Sequence, residues 1–146
     1  MSKYMLIMRQ TDEALEAQQA LAANPAEFEK LINAMGEFNT TLVNAGVLLD
    51  GDGLASATEG FVVNFDAEVP VITDGPYGET HELFNGFWTI RVATKEEAAE
   101  WAKKAPLGRG QRLEVRRITD ETDFADYADN EYIANEPELR ARSAEL

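Results

Sequence analysis

A chain of 146 residues has the length of one domain and buries roughly two-thirds of its unfolded surface on folding. Its 27 acidic side chains against 13 basic ones give a formal charge of −14, which repels a phosphate backbone and excludes nucleic acid as a partner. With no cysteine, disulfides, thiolate zinc or iron–sulfur ligation and cysteine nucleophiles are excluded as well.

From the N-terminus, Tyr4-Met5-Leu6-Ile7-Met8 is apolar at every position. The run is too short for a signal sequence or a membrane span, so a cytoplasmic location and no membrane partner are expected. A half-solvated strand alternates, so this one is expected to be covered on both faces, by helices on one and by a second protomer on the other. Asn24 to Ala45 follows as a long helix. Asn24 is its N-cap, Pro25 its first residue, and Glu27 completes a capping-box-like pattern. Phe28, Leu31, Ile32, Met35, Phe38, Leu42 and Val43 fall on one stripe, and Gly46 ends the helix.

Val47-Leu48-Leu49 starts a second strand running into Asp50-Gly51-Asp52-Gly53-Leu54. Phe61–Val63 and Val69–Ile72 read as a hairpin turning at Asp66-Ala67-Glu68, with Pro70 implying an edge. Phe84 to Val92 is a strand whose alternation sets Phe84, Trp88, Ile90 and Val92 against Asn85, Phe87, Thr89 and Arg91. Thr94 caps a second helix that buries Ala98, Trp101, Ala102 and Ala105, and Leu113 and Val115 mark a closing strand.

This order gives an α+β fold, a ferredoxin-like βαββαβ sandwich with an inserted β-hairpin. The apolar first strand then calls for a homodimer, whose facing sheets enclose a cavity. Residues 1–118 form the domain. Residues 119–146, with nine acids against two arginines, read as an acidic extension rather than a domain of their own, either solvated or docked as a helix through Phe124, Tyr127, Tyr132, Ile133 and Leu139.

The densest group of polar side chains is Thr73 to Glu82, where Asp74-Gly75-Pro76 is a turn signal. In its context, Asp74-Gly75-Pro76-Tyr77, Gly78, Glu79-Thr80-His81-Glu82 and then Gly86-Phe87-Trp88, the chain resembles the YCII-related family. Within that family it is similar to the subgroup known for an Asp-Gly-Pro-Phe motif followed by Glu-Thr-Lys-Glu. Lys3–Ile7, Ala45–Leu48 and Gly53-Leu54 share in the resemblance, which covers about residues 3 to 118. It implies a ferredoxin-like protein assembled as a dimeric αβ-barrel. It also implies an uncharacterised activity: some branches pair a histidine with an aspartate, and some relatives accompany sigma-factor-like regulators. Here Tyr77 stands for the phenylalanine and His81, the only histidine, for the lysine.

Asp74 and His81 are the catalytic candidates, as acid–base groups; the structural alternatives are a turn-bonding carboxylate and a plain groove residue. Arg9, Asp50, Gly75, Pro76, Tyr77 and Glu79 are the ligand-binding candidates, with Arg9 equally able to make a structural ion pair. Asp50-Gly51-Asp52-Gly53 hints at a calcium loop, but its twelfth position is Phe61, so no metal is expected, nor any cofactor. Two functions remain open. One is a cofactor-independent enzyme or binder of a small polar or aromatic metabolite, with a cleft around Asp74–Glu82 at the dimer interface. The other is a non-catalytic regulatory or protein-interaction module.

Overall fold

The computed structural model describes residues 1–75 and 82–144. Four strands make the main sheet: β1 (Ser2–Gln10), β2 (Leu48–Gly53), β5 (Leu83–Val92) and β6 (Gln111–Arg117), in the order β2-β5-β1-β6 with every neighbouring pair antiparallel. Strands β3 (Phe61–Asn64) and β4 (Val71–Asp74) form a separate hairpin. The helices are α1 (Asp12–Ala22), α2 (Pro25–Asn44), α3 (Lys95–Ala102) and α4 (Glu131–Ser143). A mixed α+β chain with this strand order fits a ferredoxin-like arrangement. Among the described residues no helix is long and apolar enough to cross a membrane.

Local chemistry accounts for the helix ends. The Asn24 side chain accepts from the Glu27 N–H with Pro25 in the first turn, and Thr94 does the same for Glu97 at 3.1 Å. At the other end of α2, Gly46 adopts φ +68°, its N–H reaches Val43 O, and Val47 N–H reaches Leu42 O at 3.1 Å. That is a Schellman closure, and its apolar residue, Val47, drops into the core. Helix α1 has no counterpart among the expected elements. Thr11 caps it, accepting from Ala14 N–H, and Asp12 and Glu13 favour its first turn through the helix dipole.

The core lies between one face of the sheet and α2 and α3: Tyr4, Leu6, Trp88, Ile90 and Val92 meet Phe38, Leu42 and Ala98. Phe38 and Trp88 pack edge to face with centroids 5.1 Å apart, worth about 0.5–1.5 kcal/mol beyond the area they bury. Met5 and Ile7 point to the opposite, open face and are half-buried, outside the core cluster.

Alternation along β5 does not run unbroken. The register shifts between Met8 and Arg9, so Met8 faces Gly86 and Arg9 faces Phe84, leaving Asn85 as the extra residue. The bulge turns Phe84 away from the Trp88 face: it is exposed and stacks on Phe87 across the open face. Asn85 turns to the Gln10 side chain at the end of β1 instead. Pairing is tight here, because a Cβ on Gly86 would meet Asp52 O at 2.7 Å.

Candidate functional site

The stripe on α2 divides in two. Phe38 and Leu42 are buried against the sheet, whereas Phe28 and Ile32, about three and two turns before Phe38, are exposed, Ile32 at 54%. The N-terminal half of α2 therefore stands off the sheet. Together with α1 it roofs a pocket of about 740 Å³ over β5 and β2, a volume within the range of small-molecule sites. Apolar side chains from the roof (Phe28, Leu31, Ile32, Met35) face Met8 and Trp88 on the floor.

Small residues keep this space open. A Cβ on Gly36 of α2 or on Gly53 of β2 would have no heavy atom within 4 Å. The Trp88 indole N–H donates to Asn39 Oδ1 at 2.7 Å, which fixes the ring at the floor. Asp52 and Arg109 are the charged members of the lining, and both are exposed. Asp52 pairs with Phe87, so by the pleat its side chain belongs to the open face.

At one end of the pocket three amides join three elements. Asn85 Nδ2 donates to Gln10 Oε1 at 2.6 Å, and Gln10 Nε2 donates to Gln18 Oε1 at 2.6 Å. Gln10 is 4% exposed and lies behind Gln18 and Asn85, which line the pocket. A buried amide must be bonded at both ends, and this one is. The sequence carries no marker for this cluster, since Gln18 sits on a helix that was not expected and Asn85 is placed by the bulge.

A second hollow of about 890 Å³ shares Leu54 and Asn85 with the first and extends past Ser56 and Phe61 to Gly75. Of the sequence-derived candidates among the described residues, Gly75 lines it, and Arg9, Asp50 and Asp74 do not. Asp74 ends β4 opposite Phe61 and is exposed. Gly75 takes φ +76° and donates its N–H to Gly60 O at 2.7 Å. Asp50 lies on the edge strand β2, where its carboxylate accepts from the Gly51 N–H at 2.8 Å. Pro76, Tyr77, Glu79 and His81 lie outside the described residues. Among the described residues no three acidic or imidazole groups converge as a cation site would require.

Arg9 makes ion pairs on the open face. Glu82, its side chain 6% exposed, sits between Arg9 and Arg112, and Arg9 Nη1 also reaches Glu114 at 3.4 Å. Glu82 Oε2 lies 2.8 Å from Arg9 Nε but out of line with its N–H, so that contact is Coulombic rather than a hydrogen bond. The cluster clamps the end of the Thr73–Glu82 segment to β1 and β6. Arg9, Asp50 and Asp74 share no hydrogen bond or ion pair with one another among the described residues.

The family model for the YCII-related domain matches residues 2–122. No curated protein matches the chain.

Proposed function

The chain belongs to the YCII-related family, and on that footing we propose that it is a small-molecule-binding protein whose ligand lies between the N-terminal half of α2 and the sheet. The observation that carries this is the split stripe. Phe28, Leu31, Ile32 and Met35 are spaced for burial yet have open volume in front of them, and exposed apolar surface in a concave site is what a ligand covers. Binding rather than catalysis is the reading favoured, because Asp52, the carboxylate of the lining, belongs by register to the open face.

The methionines provide a test. Met8 and Met35 line the pocket, while Met5 faces the other side of the sheet. In a protein labelled at its methionine methyls, titration with naphthalene should shift Met8 and Met35 saturably and leave Met1 and Met5 in place. Unmoved Met8 and Met35 signals would dismiss the pocket.

The reading includes a place in the Asp-Gly-Pro-Phe subgroup, on Asp74-Gly75-Pro76-Tyr77, and a cytoplasmic homodimer joined through the open face. Support for the dimer comes from the layout of that face. Asp50 and Asp52 lie on the β2 edge, Met5, Ile7 and Phe87 in the middle, and Arg112 and Arg116, with Glu114 between them, on the β6 edge. A twofold axis parallel to the strands lays the acidic edge of one protomer on the basic edge of its partner, with apolar centres in contact.

A second reading, a protein-interaction module, draws on the hairpin. Phe61, Phe65, Val69 and Ile72 are all more than 60% exposed. An isolated two-stranded hairpin with that much apolar surface is marginal in water and gains from a partner.

A further inference from the structure

The proposed pocket has one polar end, and its wiring restricts what the ligand can be. We infer that the pocket selects an uncharged ligand carrying both a hydrogen-bond donor and an acceptor, as an amide does, on an aromatic or aliphatic body; this rests on the pocket being a ligand site.

Gln10 is committed at both ends, to Asn85 and to Gln18. The terminal groups are not: Asn85 Oδ1 and Gln18 Nε2 have no side-chain hydrogen bond to a described residue, and both residues line the pocket. The relay thus offers an acceptor at one end and a donor at the other. Oxygen and nitrogen of an amide are assigned by the bonding network, but turning all three amides over only exchanges the ends and still leaves one donor and one acceptor. Because buried Gln10 holds both partners from behind, the two groups are in place before a ligand arrives, which lowers the entropy lost on binding.

Charge points the same way. An anion would enter a chain of net charge −14, and an organic cation would find no carboxylate turned inward, since Asp52 belongs to the open face. Either ion would lose hydration with little to replace it, because Arg109, the cation of the lining, is exposed and its charge is screened by solvent. The apolar body of the ligand meets Phe28, Leu31, Ile32 and Met35, and its amide meets Gln18 and Asn85.

Three probes of one shape test this: naphthalene, 2-naphthamide and 2-naphthoate, titrated against the Met8 and Met35 methyl signals. The amide should bind about tenfold more tightly than naphthalene, the increment of one or two net hydrogen bonds, and the carboxylate more weakly than the amide. In Gln18→Leu the ratio of amide affinity to naphthalene affinity, each measured on the variant, should shrink to about twofold or less. Gln18→Met, closer in shape, serves if the leucine variant loses its fold by circular dichroism. Equal binding of amide and hydrocarbon, or tightest binding of the carboxylate, overturns the selectivity and leaves the pocket standing. If none of the three moves Met8 or Met35, both proposals fall.

Discussion

Filling the pocket from its roof separates its existence from the stability of the fold. Gly36 lies inside α2, its carbonyl accepting the Thr40 hydroxyl at 2.8 Å as well as serving the helix, and a Cβ built there meets nothing within 4 Å. A glycine in a helix interior costs about 0.5–1 kcal/mol relative to alanine, and leucine has nearly alanine's propensity. With no neighbour to displace, Gly36→Leu should gain most of that, less a few tenths of a kcal/mol of side-chain entropy if the leucine orders against Met35. A net gain near 0.2–0.7 kcal/mol raises the Tm of a chain this size by about 1–3 °C. The same side chain occupies ligand volume, so naphthalene affinity, read from Met8 and Met35, should fall by more than about tenfold, roughly 1.4 kcal/mol. Gly36→Ala is the control: it gains the same propensity, intrudes by one methyl and should still bind. Differential scanning calorimetry and the methyl titration supply the two readouts. A Gly36→Leu protein destabilised by more than about 1 kcal/mol, as overpacking does, would mean the space is already filled and the reasoning is wrong.

Three other expectations follow from the same geometry. Glu82→Gln removes the charge that Arg9 and Arg112 share; a fully buried pair broken this way costs 3–5 kcal/mol, but both arginines reach solvent, so about 1–2 kcal/mol should appear in urea unfolding, and a change below 0.3 kcal/mol would deny the clamp. Asp123 bonds the Arg117 guanidinium and accepts from Asp120 N–H, which holds its carboxyl below the usual aspartate range. Its contribution is therefore complete above the unfolded value of about 3.9 and is lost as pH falls through the depressed one. Protection of the amides of residues 121–127, measured against the unstructured exchange rate at the same pH, should be present at neutral pH, fall as that lower value is crossed, and be reduced throughout in Asp123→Asn; identical protection in the two proteins would show that another contact holds the turn. Reversing the acidic edge with Asp50→Lys and Asp52→Lys should convert the proposed dimer to a particle of 16.2 kDa in sedimentation, while a wild type already at that mass would remove the interface.

Much of the fold was legible in local sequence because its causes are local. The caps at Asn24 and Thr94, the closing Gly46, the turn between Phe61–Val63 and the following strand, and the alternation from Trp88 to Val92 are set within a few residues, and each stands where the residue types place it. The Asp74–Glu82 motif and the opening strand carried the family to the same extent, and the matched span of residues 2–122 agrees with it. Helix α1 was readable in principle, since Thr11-Asp12-Glu13 is a start signal, but its alanine-rich body lacks a strong apolar stripe to announce it.

Long-range geometry decided the rest. The stripe on α2 has one period from Phe28 to Leu42, yet half of it is core and half is pocket wall, because the distance from helix to sheet is set by everything between them rather than by the helix's own sequence. Phe84 has the parity of Trp88 and Ile90 but lies on the other face, because a single extra residue in the β1–β5 register reverses orientation beyond it. That shift also brings Asn85 to Gln10, and α1 brings Gln18, so three amides 8 and 75 residues apart along the chain become one relay. Periodicity states which residues avoid water. Register and layer spacing, which exist only once the chain has folded, determine what those residues face.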